Sequence, residues 1–343
     1  MTGVPDAEPD RLTEHGLIER YFKPVATVPG AFALLDDAAA YRPDSGTDLV
    51  LTKDGIAEGI HFLSDDPPDA IARKALRVNL SDLAAKGAVP AGFLLLLGLA
   101  PDWSEDWVAG FAAGLKADQD KYAIPLYGGD TIRAPGLVIS ITAFGTVASG
   151  RMVRRAGAAP GDRLYVSGTI GDGALGLLVA TGDQRVASLA PADRDNLLAR
   201  YRLPQPRTGL AAAVAAHASA AMDVSDGLVG DLDKLCRASG VSARVEAEAV
   251  PLSASAKALV EADPDLKSLC LTGGDDYEIL CTVPPGGADA FESATAEAGT
   301  PVAAIGKITA GTDEPAFCDA AGEPIRFAHR AFSHVGMRAE HIR

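Results

Sequence analysis

The 343 residues carry a formal net charge of -15, with 48% hydrophobic and 22% charged residues. That is enough chain for two domains with separate cores, and the acidic balance sets it against nucleic acid and anionic membrane surfaces. Four cysteines without CxxC spacing exclude a zinc knuckle or redox pair, the acidic start lacks a signal-peptide pattern, and the apolar run 93–100 is too short to span a bilayer, so a cytoplasmic protein with buried thiols is expected.

Along the chain, residues 14–22 (EHGLIERYF) have apolar positions at helical spacing and predict a short docking helix. Strand-like runs follow at 31–35 and 48–52, then a helix at 70–86 with Leu76, Leu80 and Leu83 on one face. The run 93–99 reads as a buried strand. Ser104, opening SEDW, is placed to cap a helix that continues to Tyr122. A strand at 137–147 closes the first half. Beyond Gly150 the pattern predicts strands at 163–167, 243–245, 278–283 and 302–307, with helices at 173–181, 207–217, 228–238 and 288–298. Alternating strands and helices indicate an α/β or α+β protein, with domains at 1–150 and 151–343.

Aspartate is concentrated at what read as turn junctions: Asp36, Asp37, Asp54, Asp82, Asp130, Asp223, Asp226, Asp275 and Asp276. Any one of them suits a turn or a helix cap. Taken together, so many carboxylates at the ends of apolar runs would repel one another unless they flank cations. Magnesium favours such oxygen donors shared with substrate phosphates. Ser81-Asp82 precedes Gly128-Gly129-Asp130 by nearly the spacing that separates Ser225-Asp226 from Gly273-Gly274-Asp275. That echo is either chance or a pair of similarly built acidic loops.

Gly171 to Gly176 matches GxGxxG after a strand-like run, but Asp193, some twenty residues on, lies in a polar stretch and not at a strand end. The glycines therefore read as a turn that holds a phosphate or packs tightly. There is no Walker A loop, no HRD or DFG and no GxSxG elbow. Arg151, Arg154 and Arg155 form either a solvated junction or a grip on a nucleotide phosphate. His61, seven residues after Asp54 beside Gly59, is a candidate phosphate contact.

The segments LLDDAA (34–39), TKDGIAEGIHF (52–62), KALRVNLSDLAAKGA (74–88), YGGDT (127–131), SGRMVRRAGAAPGD (149–162), AMDVSDGL (221–228) and LTGGDDYEIL (271–280) together resemble the thiamine-monophosphate kinase family. They run in family order within the group that also holds aminoimidazole ribonucleotide synthetase, selenophosphate synthetase and HypE. The resemblance implies a two-domain fold of the aminoimidazole ribonucleotide synthetase type. An N-terminal α/β domain dimerises through its sheet and helps bind ATP, and an α+β domain follows. It implies ATP-dependent phosphorylation of thiamine monophosphate by a homodimer, with magnesium held by Asp37, Thr52, Lys53, Asp54, Asp82, Asp130, Asp223 and Asp226. Of these, Asp37, Asp130 and Asp226 are implied as catalytic. It further implies nucleotide contacts at Gly129, Asp130, Arg155 and Ser225, and substrate contacts at His61, Asp275 and Phe332. Leu35, Lys53 and Asp275 depart from the family's usual Gly, Thr and Glu. The alternative is another ATP-dependent member of the same group, although no cysteine precedes Cys236 to serve selenophosphate chemistry.

Overall fold

The computed structural model describes residues 12–331. The chain divides into two compact units. One comprises residues 51–79 and 90–144 with the chain before 45; the other comprises 45–50, 80–89 and the chain from 145 onward.

The first unit opens with α1 (Glu14–Leu17), capped by the Thr13 hydroxyl, which accepts the Gly16 N–H at 3.2 Å. A π-turn, Ile18–Phe22, extends it, so the predicted docking helix is present in two pieces. The predicted strand at 31–35 is not. Pro29–Leu34 is a 3-10 segment in which Phe32, Ala33 and Leu34 have φ of 49°, 53° and 55°, a left-handed run incompatible with a strand. Next come β1 (Thr47–Ala57), α2 (Pro68–Ala85), β2 (Val89–Leu99), α3 (Glu105–Tyr122), β3 (Leu126–Arg133) and β4 (Val138–Ala148). Ser104 caps α3 as its sequence requires, accepting the Trp107 N–H at 3.2 Å.

The four strands form one sheet in the order β1-β4-β2-β3. Phe93, Leu95, Leu97 and Leu99 of β2 point to its buried side. Arg77 of α2 donates to Asp118 of α3 (Nη2–Oδ1 2.9 Å), and both side chains are almost wholly buried. The pair fixes the two helices, because either charge alone would be costly to bury. On the other side of the sheet Leu51, Leu94, Ile132 and Val138 are exposed. They share that face: Leu94 pairs with Gly128 and Gly98 with Ile132 in register, a Cβ on Gly98 would lie 3.6 Å from that of Val138, and Gly55, two pleats from Leu51, faces Ser140.

The second unit contains β5 (Arg163–Ser167), α4 (Asp172–Ala180), α5 (Pro191–Arg202), α6 (Ala211–His217), β6 (Ala220–Val224), α7 (Leu228–Ser239), β7 (Ser242–Glu246), α8 (Ala254–Ala262), α9 (Leu266–Thr272), β8 (Glu278–Val283), α10 (Ala288–Glu297), β9 (Val302–Thr309) and β10 (Ala316–Cys318). Its six-stranded sheet has the order β10-β7-β9-β5-β8-β6. Alternation along the strands gives the sheet two buried faces. Leu164, Val166, Met222 and Val224 pack with Leu228, Leu232 and Leu235 of α7, whereas Tyr165, Ala221, Ile279 and Cys281 pack with Val214 of α6 and Phe291 of α10. A smaller cluster joins α4, α5, α8 and α9 through Leu175, Leu197, Leu259 and Cys270. All four cysteines are free and buried. Burial pushes the thiols of Cys236, Cys270 and Cys281 up to about 12.

Candidate active site

In the first unit the predicted site residues lie on the sheet and its loops. Asp37 is exposed in the turn after the 3-10 segment. Thr52, Lys53 and Asp54 lie within β1, and Gly129 and Asp130 lie within β3. The last four therefore sit inside strands and not at strand-end turns as expected. β1 and β3 are the two edges of the sheet, three strand spacings or roughly 14 Å apart, so Asp54 and Asp130 of this sheet cannot grip one ion together. The Gly-Gly-Asp stretch reads as a turn, yet it is extended because β3 runs very close to β2. A Cβ on Gly129 would fall 1.9 Å from the Leu95 carbonyl oxygen. The backbone of Asp54 is tied by its N–H to Oδ1 of the buried Asn79 at 3.0 Å. His61 Nδ1 accepts the Ala57 N–H at 3.1 Å, which assigns the ring proton to Nε2, and Lys74 Nζ holds the His61 carbonyl at 2.8 Å.

In the second unit Asp82 lies inside α2 and Asp223 on β6, where it is 4% exposed. Between them comes a residue the sequence reading passed over, Lys86. Its Nζ donates to the Ala221 carbonyl at 2.7 Å, two residues before Asp223 on the same side of the strand. Burial lowers its pKa, Asp223 and Asp82 oppose that, and Arg155 reinforces it. Arg155 thus lies within electrostatic reach of Lys86. Arg155 itself is exposed, with its carbonyl accepting from Ser239 Oγ at 3.0 Å. Arg151 serves a structural purpose, donating to the Ala215 and Ala216 carbonyls at the end of α6.

Ser225 and Asp226 form the turn between β6 and α7. Both of their N–H groups donate to Asp231 Oδ2, at 3.0 and 2.9 Å, and Asp231 Oδ1 takes Lys234 Nζ at 2.8 Å. Lys234 also bonds the Asp226 carboxylate. Burial works against the Lys234 charge, but Asp231 and Asp226 outweigh it and raise the ammonium's pKa. Asp231 and Lys234 were also missed; their spacing of three on a predicted helix is the signal that could have found them. The loop 273–277 lies against this turn: Asp275 N–H donates to the Ser225 carbonyl at 2.9 Å, and Tyr277 N–H to that of Val224 at 2.8 Å. Asp275 and Tyr277 have φ of 70° and 52°, a strained backbone of the kind concentrated at functional sites. The Tyr277 hydroxyl donates to Asp275 Oδ1 at 3.1 Å.

The glycine-rich turn holds an anion of the protein's own. Gly171 and Gly173 donate their N–H groups to the fully buried Asp276, at 2.8 and 3.1 Å. Its neighbour Glu278 accepts from Arg200, Arg207 and Ser167, and so is a buried structural anchor. The echo of Ser-Asp and Gly-Gly-Asp has no counterpart in structure: the first pair of motifs lies on a helix and a strand, the second on two loops. Phe332 lies outside the described residues.

Among the described residues no three His, Cys, Asp or Glu side chains form a cluster able to hold a metal alone. The donor chemistry nevertheless suits magnesium shared with phosphates. The groups are carboxylates, and in the second unit they already draw positive charge, with Lys234 on Asp226 and Lys86 near Asp82 and Asp223.

The family described as AIR synthase related protein matches twice, its N-terminal domain at residues 35–147 and its C-terminal domain at 159–319. The thiamine-monophosphate kinase of Caulobacter vibrioides is 45% identical over 322 residues, covering 92% of this chain and 88% of the relative. A crystal structure of thiamine-monophosphate kinase from Stenotrophomonas maltophilia K279a superposes with a TM-score of 0.77 at 39% identity, covering 85% of this chain and 91% of that one. AaThiL complexed with AMPPCP and TMP superposes with a TM-score of 0.74 at 29% identity, covering 93% and 96%. The chain belongs to the thiamine-monophosphate kinase family, within the AIR synthase related proteins.

Proposed function

We propose that the protein transfers the γ-phosphoryl group of ATP to the phosphate of thiamine monophosphate, giving thiamine diphosphate and ADP. The observation that carries this reading is the match to a kinase of that name over nine tenths of the chain, a span that includes the acidic segments quoted above. The chemistry agrees with the residues. A phosphate monoester has a second pKa near ~6, so the attacking oxygen is already ionised at neutral pH and no strong base is required. The difficulty is to bring two anions together in line. His61, with its Nδ1 engaged by Ala57, would present Nε2–H to the acceptor phosphate, and Arg155 with the Ser225 turn would hold the nucleotide. Asp275 and Phe332 would orient the thiamine end.

Asp82, Asp223 and Asp226 would hold magnesium in one unit, and in the other Asp37, Asp54 and Asp130 would offer separate carboxylate ligands, with Thr52 and Lys53 beside Asp54. Once bound it would neutralise phosphate charge and bridge ATP to the carboxylates. We further propose domains at 1–150 and 151–343, a homodimer formed through the exposed apolar face of the four-stranded sheet, and a cytoplasmic setting suited to four free cysteines. No helix among the described residues is long and apolar enough to cross a membrane.

The test mixes purified protein with ATP, magnesium and either thiamine monophosphate or thiamine, and identifies products by mass. Thiamine diphosphate should form from the monophosphate, and thiamine should remain unchanged. Comparable conversion of thiamine to its monophosphate would refute the mechanism. Reaction of an amidine or a selenide alone would move the protein to another branch of the group.

A further inference from the structure

Asp226 is held at both ends by α7. Its N–H is bound by the buried Asp231 at 2.9 Å, and its carboxylate by the Lys234 ammonium, which also sits 2.8 Å from the other oxygen of Asp231. Asp231 alone is enough to shape the turn, since one of its oxygens takes the N–H groups of both Ser225 and Asp226. What Lys234 adds is a fixed positive charge on the carboxylate that the reading above assigns to a divalent cation. The pair is not fully open to solvent: the side chains are 39% and 31% exposed, so water screens their interaction only in part.

We propose that Lys234 is a positioning residue, a resident counter-ion that keeps the Asp226 carboxylate in place and competes with the divalent cation for it. The inference rests on the reading that Asp226 is a magnesium ligand. An ammonium beside a carboxylate lowers the field that carboxylate offers to a second cation. The ion therefore binds more weakly than the aspartates alone would bind it, and in return the acidic turn stays ordered between turnovers. Removing the ammonium leaves Asp226 and Asp231 facing each other with no cation between them. The vacated charge is then best supplied by magnesium.

Metal-stripped protein saturated with a non-hydrolysable ATP analogue is titrated with Mg2+ and followed by calorimetry and by melting temperature. In Lys234→Met the Mg2+ dissociation constant should fall by about 10-fold, and the melting temperature, depressed without the ion, should gain more on saturation than that of the parent. Lys234→Arg should retain the parent's constant. Because Lys234→Met strands a buried carboxylate, the double variant Asp231→Asn/Lys234→Met is titrated alongside and should also bind Mg2+ more tightly than the parent. An unchanged or weakened constant in both methionine variants overturns the role of Lys234. A parent that shows no response to Mg2+ in either measurement overturns the metal reading itself, and this proposal with it.

Discussion

Asp226 and Asp276 look alike in sequence, each an aspartate beside a glycine-rich stretch, and the structure gives them opposite duties. Asp226 is part-exposed at a turn with its backbone already satisfied, so its carboxylate contributes little to the fold that an amide would not. Asp226→Asn should therefore lower kcat by more than ~100-fold while leaving the melting temperature nearly unchanged. Steady-state rates beside a thermal melt decide it, and a normal rate would make Asp226 a turn residue only. Asp276 is fully enclosed, and burial lifts its carboxyl well above the ordinary value of 3.8 despite the Gly171 and Gly173 amides and Arg200. The folded state then keeps this proton to higher pH than the unfolded chain does. The associated stability is complete below 3.8 and is lost as pH rises through the folded value. Asp276→Asn has no such proton to lose. Between 3.8 and the folded value its urea-unfolding free energy should fall less steeply with pH than the parent's, by up to ~1.4 kcal/mol per pH unit. Parallel curves would mean that Asp276 is ionised in the fold. Composition and motif spacing could pick out both residues as acidic, but not which one was enclosed, because enclosure depends on α4 arriving from a hundred residues away.

At the level of elements, legibility followed the strength of the local signal. α3 was readable from Ser104 and the acidic turn after it, and β5 and β8 from short apolar runs between turn residues. β3 was missed because its glycines serve the close approach to β2, a tertiary demand with no local trace. α5 was missed for a different reason. Of its twelve residues only Leu197 and Tyr201 are buried, too few to stand out against a polar sequence. The same dependence on close approach applies to the turn before α4. A Cβ on Gly173 would lie 2.4 Å from the Asp275 carbonyl oxygen and 2.5 Å from its carbonyl carbon, both backbone atoms that cannot swing aside. Gly173→Ala should cost ~1–3 kcal/mol in urea unfolding and raise KM for thiamine monophosphate by displacing Asp275. Gly286→Ala, with nothing within 4 Å of the added Cβ, is the control and should leave both quantities unchanged. Loss of stability without a change in KM would detach Asp275 from the substrate.

For the molecule as a whole, the telling feature is the four-stranded sheet, which has one face buried and the other bearing Leu51, Leu94, Ile132 and Val138 in the open. Scattered exposed leucines need no explanation, but here aliphatic side chains from all four strands stand on one face, interspersed with Lys53 and Asp130, a mixed surface of the kind that suits a partner. A twofold partner presenting the same face would bury it, each copy covering the other, as closed symmetry requires. The proposed homodimer would cover that face, and added negative charge on the face is the way to break it. Leu51→Glu combined with Ile132→Glu places a carboxylate on each edge strand of the face, so four negative charges per dimer would enter the contact. Sedimentation velocity should show the parent as a dimer and the double variant as a monomer, with unchanged circular dichroism because the substituted positions point away from the core of the unit. A double variant that still sediments as a dimer would show that the copies associate through another surface. A monomeric parent would leave this apolar face to a different partner.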